Sequence, residues 1–220
     1  MYMDWTEFWT ILSVNGIILE PKQIEIFKRY HKELIYWNEK INLISRQDES
    51  NILEKHFIHS LSILKYVDIP IKAQCLDIGT GGGFPGLVLK IARPDVNMIL
   101  LDSIKKKINT TKMLAQHTEL RGINCVLDRA ENLCNEKKYN KYFDIILSRA
   151  VAKTDKLIGW TIPLIKDNGK FIFLKGGDLG EEINQAKNKY RNLNFEVKDI
   201  NILGCKSISS AEKKIIIVHK

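Results

Sequence analysis

The chain has 220 residues, of which 45% are hydrophobic and 27% charged, and a formal net charge of +8. This is the composition of an ordinary folded protein, and the length suffices for one α/β domain and an appendage. No apolar run reaches the roughly 18–20 residues of a membrane span, the acidic start of the chain lacks the basic region of a signal peptide, and the four cysteines form no C-x-x-C pair. We therefore expect a cytoplasmic protein with no membrane anchor, no disulfide framework and no metal site.

The positive charge is concentrated in the later part of the chain. Residues 1–72 hold 9 Lys and Arg against 10 Asp and Glu, whereas residues 73–220 hold 25 against 16. A basic surface favours a polyanionic partner. The alternative is a lysine-rich surface that only keeps the protein in solution.

The pattern over residues 3–67 predicts helices. One of them begins at Pro21, since proline suits the first turn of a helix. Its apolar positions recur every three or four residues: Ile24, Phe27, Tyr30, Leu34, Trp37 and Ile41. A further helix follows a polar break and is ended by Pro70. We expect residues 1–72 to form a helical cap packed on the main domain.

From residue 73 to residue 220, apolar strands alternate with helices. The predicted strands cover 73–77, 97–102, 123–127, 143–148, 170–174, 195–202 and 214–219. The predicted helices cover 85–92, 104–121, 153–165 and 178–190, and the D-N-G sequence at 167–169 predicts a turn. Such alternation predicts an α/β fold with a mostly parallel, seven-stranded sheet covered by helices on both faces. The last two strands lack a long helix between them, so we expect them to pair antiparallel at one edge.

The most informative motif is L-D-I-G-T-G-G-G-F-P-G at 76–86, a buried strand that ends in Asp77 and runs into a glycine loop and a helix. The spacing Gly79-x-Gly81-x-Gly83 does not fit the dinucleotide fingerprint, because Phe84 stands where its last glycine belongs, and a Walker A Gly-Lys-Ser/Thr is absent. Glycines let the backbone turn sharply and approach a ligand closely. D-x-G-x-G-x-G after a first strand resembles motif I of the class I methyltransferases, which bind S-adenosylmethionine. The alternative is a purely structural tight turn.

Two further segments follow predicted strands at the same edge of the sheet. Asp102 ends the second strand, where a carboxylate can accept hydrogen bonds from both ribose hydroxyls, and Ser103 could add a contact. The alternative is that Asp102 only caps the next helix. Ala130 and Glu131 follow the third strand, in the turn that flanks the adenine ring in the class I pattern.

The residues after the fourth and fifth strands are candidates for positioning a substrate. Arg149 could contact a carboxylate, a phosphate, or guanine N7 and O6, and the alternative is a surface ion pair. The [DNS]-P-P-[YF] motif of amino-directed enzymes is missing here, and no cysteine follows a proline as in pyrimidine C5 methylation. Lys175 could contact RNA phosphate or simply end its strand.

Two other groups of side chains have open interpretations. Three consecutive lysines, 105–107, oppose the dipole of the helix they open, which a phosphate ligand would explain, although a solvated face is the alternative. His56 and His59 have a spacing compatible with a metal, but with no third ligand evident we interpret them as core or surface histidines.

The combined motifs resemble the glucose-inhibited division protein B family, small-subunit ribosomal RNA methyltransferase G. The resemblance spans nearly the whole chain and lies in these segments: Y-W-N-E-K-I-N-L-I-S (36–45), H-F-I-H-S-L (56–61), L-D-I-G-T-G-G-G-F-P-G (76–86), L-L-D-S (100–103), S-R-A-V-A (148–152) and F-L-K-G-G (173–177). It implies a Rossmann-like class I methyltransferase fold with a helical N-terminal extension. It also implies cofactor contacts at Gly79, Phe84, Ala130–Glu131 and Arg149. Two residues depart from the family: His59 replaces a common Asp, and Lys107 replaces an Arg found in some members.

The resemblance further implies S-adenosylmethionine-dependent methylation of guanine N7 in the decoding-region loop of bacterial 16S ribosomal RNA. N7 has a free lone pair and no proton to lose, so no general base is required. We expect a monomer that acts on the RNA itself, the 30S subunit or an assembly intermediate. The alternatives are a small-molecule methyltransferase, a non-catalytic RNA-binding or assembly module, and a nucleotide-cofactor oxidoreductase.

Overall fold

Seven strands form a single sheet in this computed structural model, which describes residues 3–220 except for the side chain of Ser209. In chain order the strands are β1 (Gln74–Ile78), β2 (Asn97–Asp102), β3 (Ile123–Leu127), β4 (Phe143–Arg149), β5 (Ile165–Gly176), β6 (Asn194–Asp199) and β7 (Lys213–His219). They lie side by side as β3-β2-β1-β4-β5-β7-β6. Neighbours are parallel except at β7, which is antiparallel to both β5 and β6. The predicted sheet, including its antiparallel edge, is confirmed.

Ten α-helices occur within residues 3–220. They are α1 (Trp5–Val14), α2 (Pro21–Asn38), α3 (His59–Leu61), α4 (Ile63–Tyr66), α5 (Gly86–Ala92), α6 (Lys105–His117), α7 (Ala130–Leu133), α8 (Thr154–Thr161), α9 (Gly180–Lys189) and α10 (Lys206–Ser210). Short 3₁₀ helices cover Arg46–Asn51 and Lys137–Tyr139, and a π-helical segment covers Leu53–Ile58. None of the helices in this described range is long and apolar enough to cross a bilayer.

Each central strand contributes side chains to two separate hydrophobic cores. In β1, Cys75 packs in one core and Leu76 in the other, and in β4 Ile145 and Ile146 are divided in the same way. This follows from the period of two along a strand, which sends successive side chains to opposite faces. The nearly continuous apolar runs of these strands are therefore explained by helices on both faces.

The N-terminal helices share the first of these cores with α5 and α6. The predicted stripe of α2 faces it: Tyr30 and its apolar neighbours one turn away are fully buried, while Trp37 is half-buried. Tyr30 and Phe57 stack with their ring centroids 5.2 Å apart, and Phe84 of the glycine loop lies 5.8 Å from Tyr30. The N-terminal helices thus touch the segment that the sequence marked as functional.

Two local predictions were wrong. The helix ended by Pro70 is instead a 3₁₀ turn, a π-helical segment and two short α-helices, and it ends at Tyr66. The D-N-G turn at 167–169 lies inside β5, where pairing with β4 shifts register. Gly169 permits this, since a Cβ there would lie 2.4 Å from Ile165 Cγ1. Extending β5 to Ile165 also ends α8 earlier than predicted.

Candidate functional site

The loop after β1 turns sharply at the carboxyl edge of the sheet. Gly79, Gly81 and Gly83 have φ angles of +66°, +55° and +103°, which L-residues with a Cβ rarely adopt. A Cβ on Gly79 would also lie 2.4 Å from Cγ2 of Val151, in the segment that follows β4. The glycines are therefore required both by the backbone and by close packing across the loop.

Two carboxylates, Asp77 and Asp102, accept hydrogen bonds from backbone amides within and at the end of this loop. Asp77 is fully buried, and its Oδ2 accepts a hydrogen bond from the Gly86 amide at 2.9 Å. Its Oδ1 is buried without a partner among the described residues. Burial raises the pKa of Asp77 to about 7, against the opposing effects of Thr80, the Gly86 amide and Arg149. Asp77 is thus a buried acid that binds the end of the loop through a hydrogen bond, and it is not solvated.

The carboxylate of Asp102 accepts hydrogen bonds from two backbone amides. Its Oδ1 accepts from the amide of Ile104, the residue that precedes α6, at 2.9 Å, and its Oδ2 accepts from the Gly81 amide at 2.9 Å. Each carboxylate oxygen has a second acceptor site. Asp102 can therefore hold the loop and still receive hydroxyl groups of a ligand.

A cleft of about 170 Å³ opens above Asp102 and the glycine loop. It brings together five of the predicted residues: Gly79, Asp102, Ser103, Ala130 and Glu131. The remaining walls come from residues that the sequence did not single out, namely Ile78, Leu101, Asp128, Arg129, Val151 and Trp160. A carboxylate and a hydroxyl beside apolar walls suit a nucleoside, with polar contacts for its sugar and a dry surface for its flat ring.

The predicted Arg149 lies outside this cleft, at the end of β4. Its guanidinium carbon lies 4.8 Å from the ring centroid of Phe84, which is 3% exposed. Nη2 donates to Nδ1 of His56 at 2.8 Å, and Nη1 donates to the carbonyl oxygen of Lys55 at 3.3 Å. Burial lowers the pKa of Arg149 to about 10, so the group remains charged at neutral pH. The N-terminal segment thus fixes the direction of this cation.

Tyr30 of α2 is a second contact from the N-terminal helices. Its hydroxyl donates to the carbonyl oxygen of Gly82 at 2.6 Å. Neither Tyr30 nor His56 could be assigned from sequence, because their partners are 52 and 93 positions away. The apolar stripe that contains Tyr30 predicted only that the Tyr30 side chain is buried.

Comparison with known proteins identifies the family of this chain. Residues 23–212 match the GidB family model, described as rRNA small subunit methyltransferase G. The ribosomal RNA small subunit methyltransferase G of Bacillus subtilis (strain 168) is 34% identical over 218 residues, which cover 99% of this chain and 91% of that protein. The corresponding protein of Caldanaerobacter subterraneus subsp. tengcongensis is 38% identical over 188 residues, 86% of this chain and 78% of that protein. The chain belongs to the rRNA small subunit methyltransferase G family.

Two solved structures share the fold of this chain. TrmN from Thermus thermophilus superposes with a TM-score of 0.58 at 15% identity, covering 76% of this chain and 53% of that chain. A putative rRNA methylase from Clostridium thermocellum gives a TM-score of 0.53 at 14% identity, covering 76% and 96%. At such identities the likeness shows the fold alone. The predicted class I methyltransferase fold is confirmed, and the chain is an rRNA methyltransferase by family.

Lys175, the second positioning candidate, stabilises the segment after β4 in this rRNA methyltransferase. Its Nζ lies 2.9 Å from Oε1 of Glu182 and donates to the carbonyl oxygen of Ala152. The same Glu182 oxygen accepts from the amide and the hydroxyl of Thr154, at 2.8 and 2.6 Å. Only 11% of the Lys175 side chain is exposed. Its ammonium is thus engaged within the protein, next to the loop that carries Arg149 and Val151.

The predicted site residues therefore fall into three places. Five line the cleft, whereas Asp77 binds the end of the loop through the Gly86 amide, and Gly81, Gly83 and Phe84 belong to the loop without lining the cleft. Arg149 and Lys175 line a second, larger cavity. The lysines at 105–107 stand in the exposed first turn of α6.

Proposed function

We propose that this protein transfers a methyl group from S-adenosylmethionine to N7 of a guanine in the decoding-region loop of bacterial 16S rRNA. The observation that carries the cofactor assignment is the cleft with Asp102 at its base and Gly79 at its side. Family membership supports rRNA as the substrate class, and the basic balance of residues 73–220 agrees with a polyanion.

The residues of the cleft fit S-adenosylmethionine. Asp102 retains acceptor sites for two ribose hydroxyls, Ser103 lies beside it, and Ala130 and Glu131 would flank the adenine. The glycine at 79 leaves room for close approach of a ligand to the backbone. When bound, the cofactor supplies an electrophilic methyl group on a sulfonium.

One contact has to change when the ligand extends along the loop. Val151 packs directly on Gly79, which separates the cleft from Arg149. The segment after β4 therefore has to shift before a carboxylate bound at Arg149 and a ribose bound at Asp102 can belong to one molecule. Ala150, with a φ of +56°, is a point of backbone strain in that segment.

The chemistry of guanine N7 suits the side chains that are present. N7 attacks with its own lone pair, so the protein needs to orient the base and has no proton to remove. The purine becomes cationic, and a cation stacked on it would oppose the transfer. We therefore assign Arg149 to the cofactor carboxylate or the O6 edge of guanine, away from the face of the ring.

The test is methyl transfer from tritiated S-adenosylmethionine to 16S rRNA or 30S subunits taken from a strain that lacks the modification. Digestion should release the label as 7-methylguanosine. Arg149→Ala should lose transfer in either role and should also lose cofactor affinity if Arg149 binds the cofactor carboxylate; near-normal activity and cofactor affinity would contradict its assignment. Label in an adenine or cytosine would contradict the base assignment. Transfer to metabolites without RNA would favour the small-molecule alternative. No cofactor binding in calorimetry would favour a non-catalytic module, and nicotinamide binding an oxidoreductase.

A further inference from the structure

A cavity of about 590 Å³ adjoins the cleft on the other side of the segment after β4. Ala150 lines the cavity, and its neighbour Val151 lines the cleft, so this short segment is a shared wall. The opposite walls come from the π-helical segment Leu53–Ile58 and from α10. Its volume lies within the range of about 300–1,000 Å³ that is typical of small-molecule sites.

The charges around the cavity favour an anion. Four cations line it against one carboxylate, Asp48. Lys55 pairs with Asp48 at 2.5 Å, and Arg149 and Lys175 have the partners described above. Lys213 of β7 is different: among the described side chains no ion pair or hydrogen bond engages its ammonium. It lies at the wall of the cavity beside Gly176, where an added Cβ would lie 3.6 Å from its Nζ. Lys213 is therefore the cation that is free to bind a phosphate.

Two buried histidines line the cavity wall, His56 at 7% and His59 at 5% exposure. Nε2 of His59 has no hydrogen-bond partner among the described residues, and Nε2 of His56 lies 3.6 Å from Oδ2 of Asp48, beyond hydrogen-bond distance. Burial and the nearby Arg149 lower the pKa of His56 to about 3 and that of His59 well below its ordinary value. Both rings are therefore neutral. A buried polar group without a hydrogen-bond partner destabilises the folded state, and a ligand that supplies a partner would remove this destabilisation.

We propose that this cavity receives the target nucleoside, with Lys213 bound to a backbone phosphate and His59 in contact with the base. The assignment rests on the proposed function. A side chain cannot reach guanine N7 in the deep, narrow major groove of an RNA duplex, so the base has to be presented unstacked. Neutral imidazoles suit a base that acquires positive charge, because they offer hydrogen bonds without adding a like charge.

The first experiment compares two adjacent lysines of β7. Lys213→Ala and Lys214→Ala remove the same charge, but side chains alternate along a strand, and Lys214 binds Asp199 at 2.6 Å outside the cavity. Lys213→Ala should lower kcat/KM for undermethylated 30S subunits at least tenfold and leave the Kd for S-adenosylmethionine within about twofold. It should also reduce the slope of log affinity against log salt by about 0.7, the value for one phosphate contact to single-stranded RNA. Lys214→Ala should change neither kcat/KM for 30S subunits nor the salt slope.

The second experiment uses His59. His59→Leu should lower kcat/KM for 30S subunits with little change in cofactor affinity, and His59→Gln, which restores a hydrogen-bonding group, should recover much of the activity. Equal behaviour of the two lysine variants would overturn the proposal, as would a folded His59→Leu with full activity. If wild-type protein forms 7-methylguanosine while the lysine variants do not differ, the cavity assignment fails and the proposed function stands. Label at another base would instead contradict the proposed function. The difference between Lys213→Ala and Lys214→Ala would still show whether RNA enters this cavity.

Discussion

Replacing Asp77 with asparagine should stabilise the protein at pH 8 and impair its activity. Burial places the pKa of this carboxyl at about 7 in the folded state, against an ordinary value of 3.8. The folded chain therefore keeps a proton that the unfolded chain releases, and stability falls as the pH rises from about 4 to about 7. One extra proton corresponds to about 1.4 kcal/mol per pH unit, so Asp77 costs roughly 4 kcal/mol above pH 7.

The asparagine variant removes this ionisation but weakens one contact. Its side-chain oxygen can still accept from the Gly86 amide, although a neutral acceptor forms a weaker bond than a carboxylate, by about 1 kcal/mol. We expect a net gain of about 1–3 kcal/mol at pH 8, which raises the melting temperature by about 2–4 °C per kcal/mol in a chain of this size. At pH 4 the gain should vanish, because Asp77 is then protonated in the wild type.

Thermal melting of both proteins between pH 4 and pH 8.5 measures this difference directly. Asp199→Asn is the matched control, since that carboxylate is 81% exposed and should give a curve parallel to the wild type. Cofactor titrations of the same samples should show weaker binding by Asp77→Asn. Melting temperatures for Asp77→Asn that run parallel to the wild type across this range would refute the reasoning.

Four further substitutions test the cleft and the glycine loop. Asp102→Ala should weaken binding of S-adenosylmethionine at least tenfold in calorimetry, because it removes the ribose acceptor and the Gly81 anchor together; unchanged affinity would exclude the ribose role. Gly79→Ala should also weaken binding at least tenfold, given its positive φ and the 2.4 Å approach to Val151, whereas Val151→Ala should tighten it; the opposite order would contradict the shared-wall geometry. Tyr30→Phe should lower the free energy of unfolding in urea by about 1 kcal/mol through loss of its bond to the Gly82 carbonyl; no change would show that this bond is not stabilising.

The positions of most strands along the chain could be predicted because these strands are largely apolar runs bounded by polar residues; β6, N-F-E-V-K-D, is the exception. The limits of β2 and β3 agree with the prediction to the residue, and β2 ends in the acid that was assigned to the ligand. D-N-G at 167–169 is good turn chemistry, yet it stands inside β5, between Ile165 and Lys170, which pair with Phe143 and Ile145 of β4 across a shift of register. No pattern distinguishes a π-helical segment from an ordinary helix, because both give an amphipathic stripe.

The cleft was more predictable than the cavity beside it. Parallel strands bring their carboxyl ends to one edge, so residues that follow β1, β2 and β3 could be grouped without coordinates. The cavity depends on contacts between segments about 100 residues or more apart, such as the π-helical segment against β4 and α10. The spacing of His56 and His59 is compatible with a metal, but with no third ligand evident they were interpreted as core or surface histidines. Both are buried, and only the structure shows that their Nε2 atoms have no hydrogen-bond partner among the described residues.

The N-terminal helices contact both the glycine loop and Arg149 at the carboxyl edge of the sheet. Tyr30 binds the glycine loop, His56 and the Lys55 carbonyl direct Arg149, and the aromatic cluster around Phe57 packs against Phe84 beneath that guanidinium. A displacement of these helices would therefore change both the loop assigned to the donor and the cation assigned to orient donor or base. Because His56 also lines the cavity assigned to the nucleoside, occupation of that cavity acts on the Arg149 guanidinium through a single hydrogen bond of 2.8 Å. The proposed methylation of N7 requires the protein to orient the methyl donor and the base. We expect the hydrogen bond between His56 and Arg149 to align these two ligands.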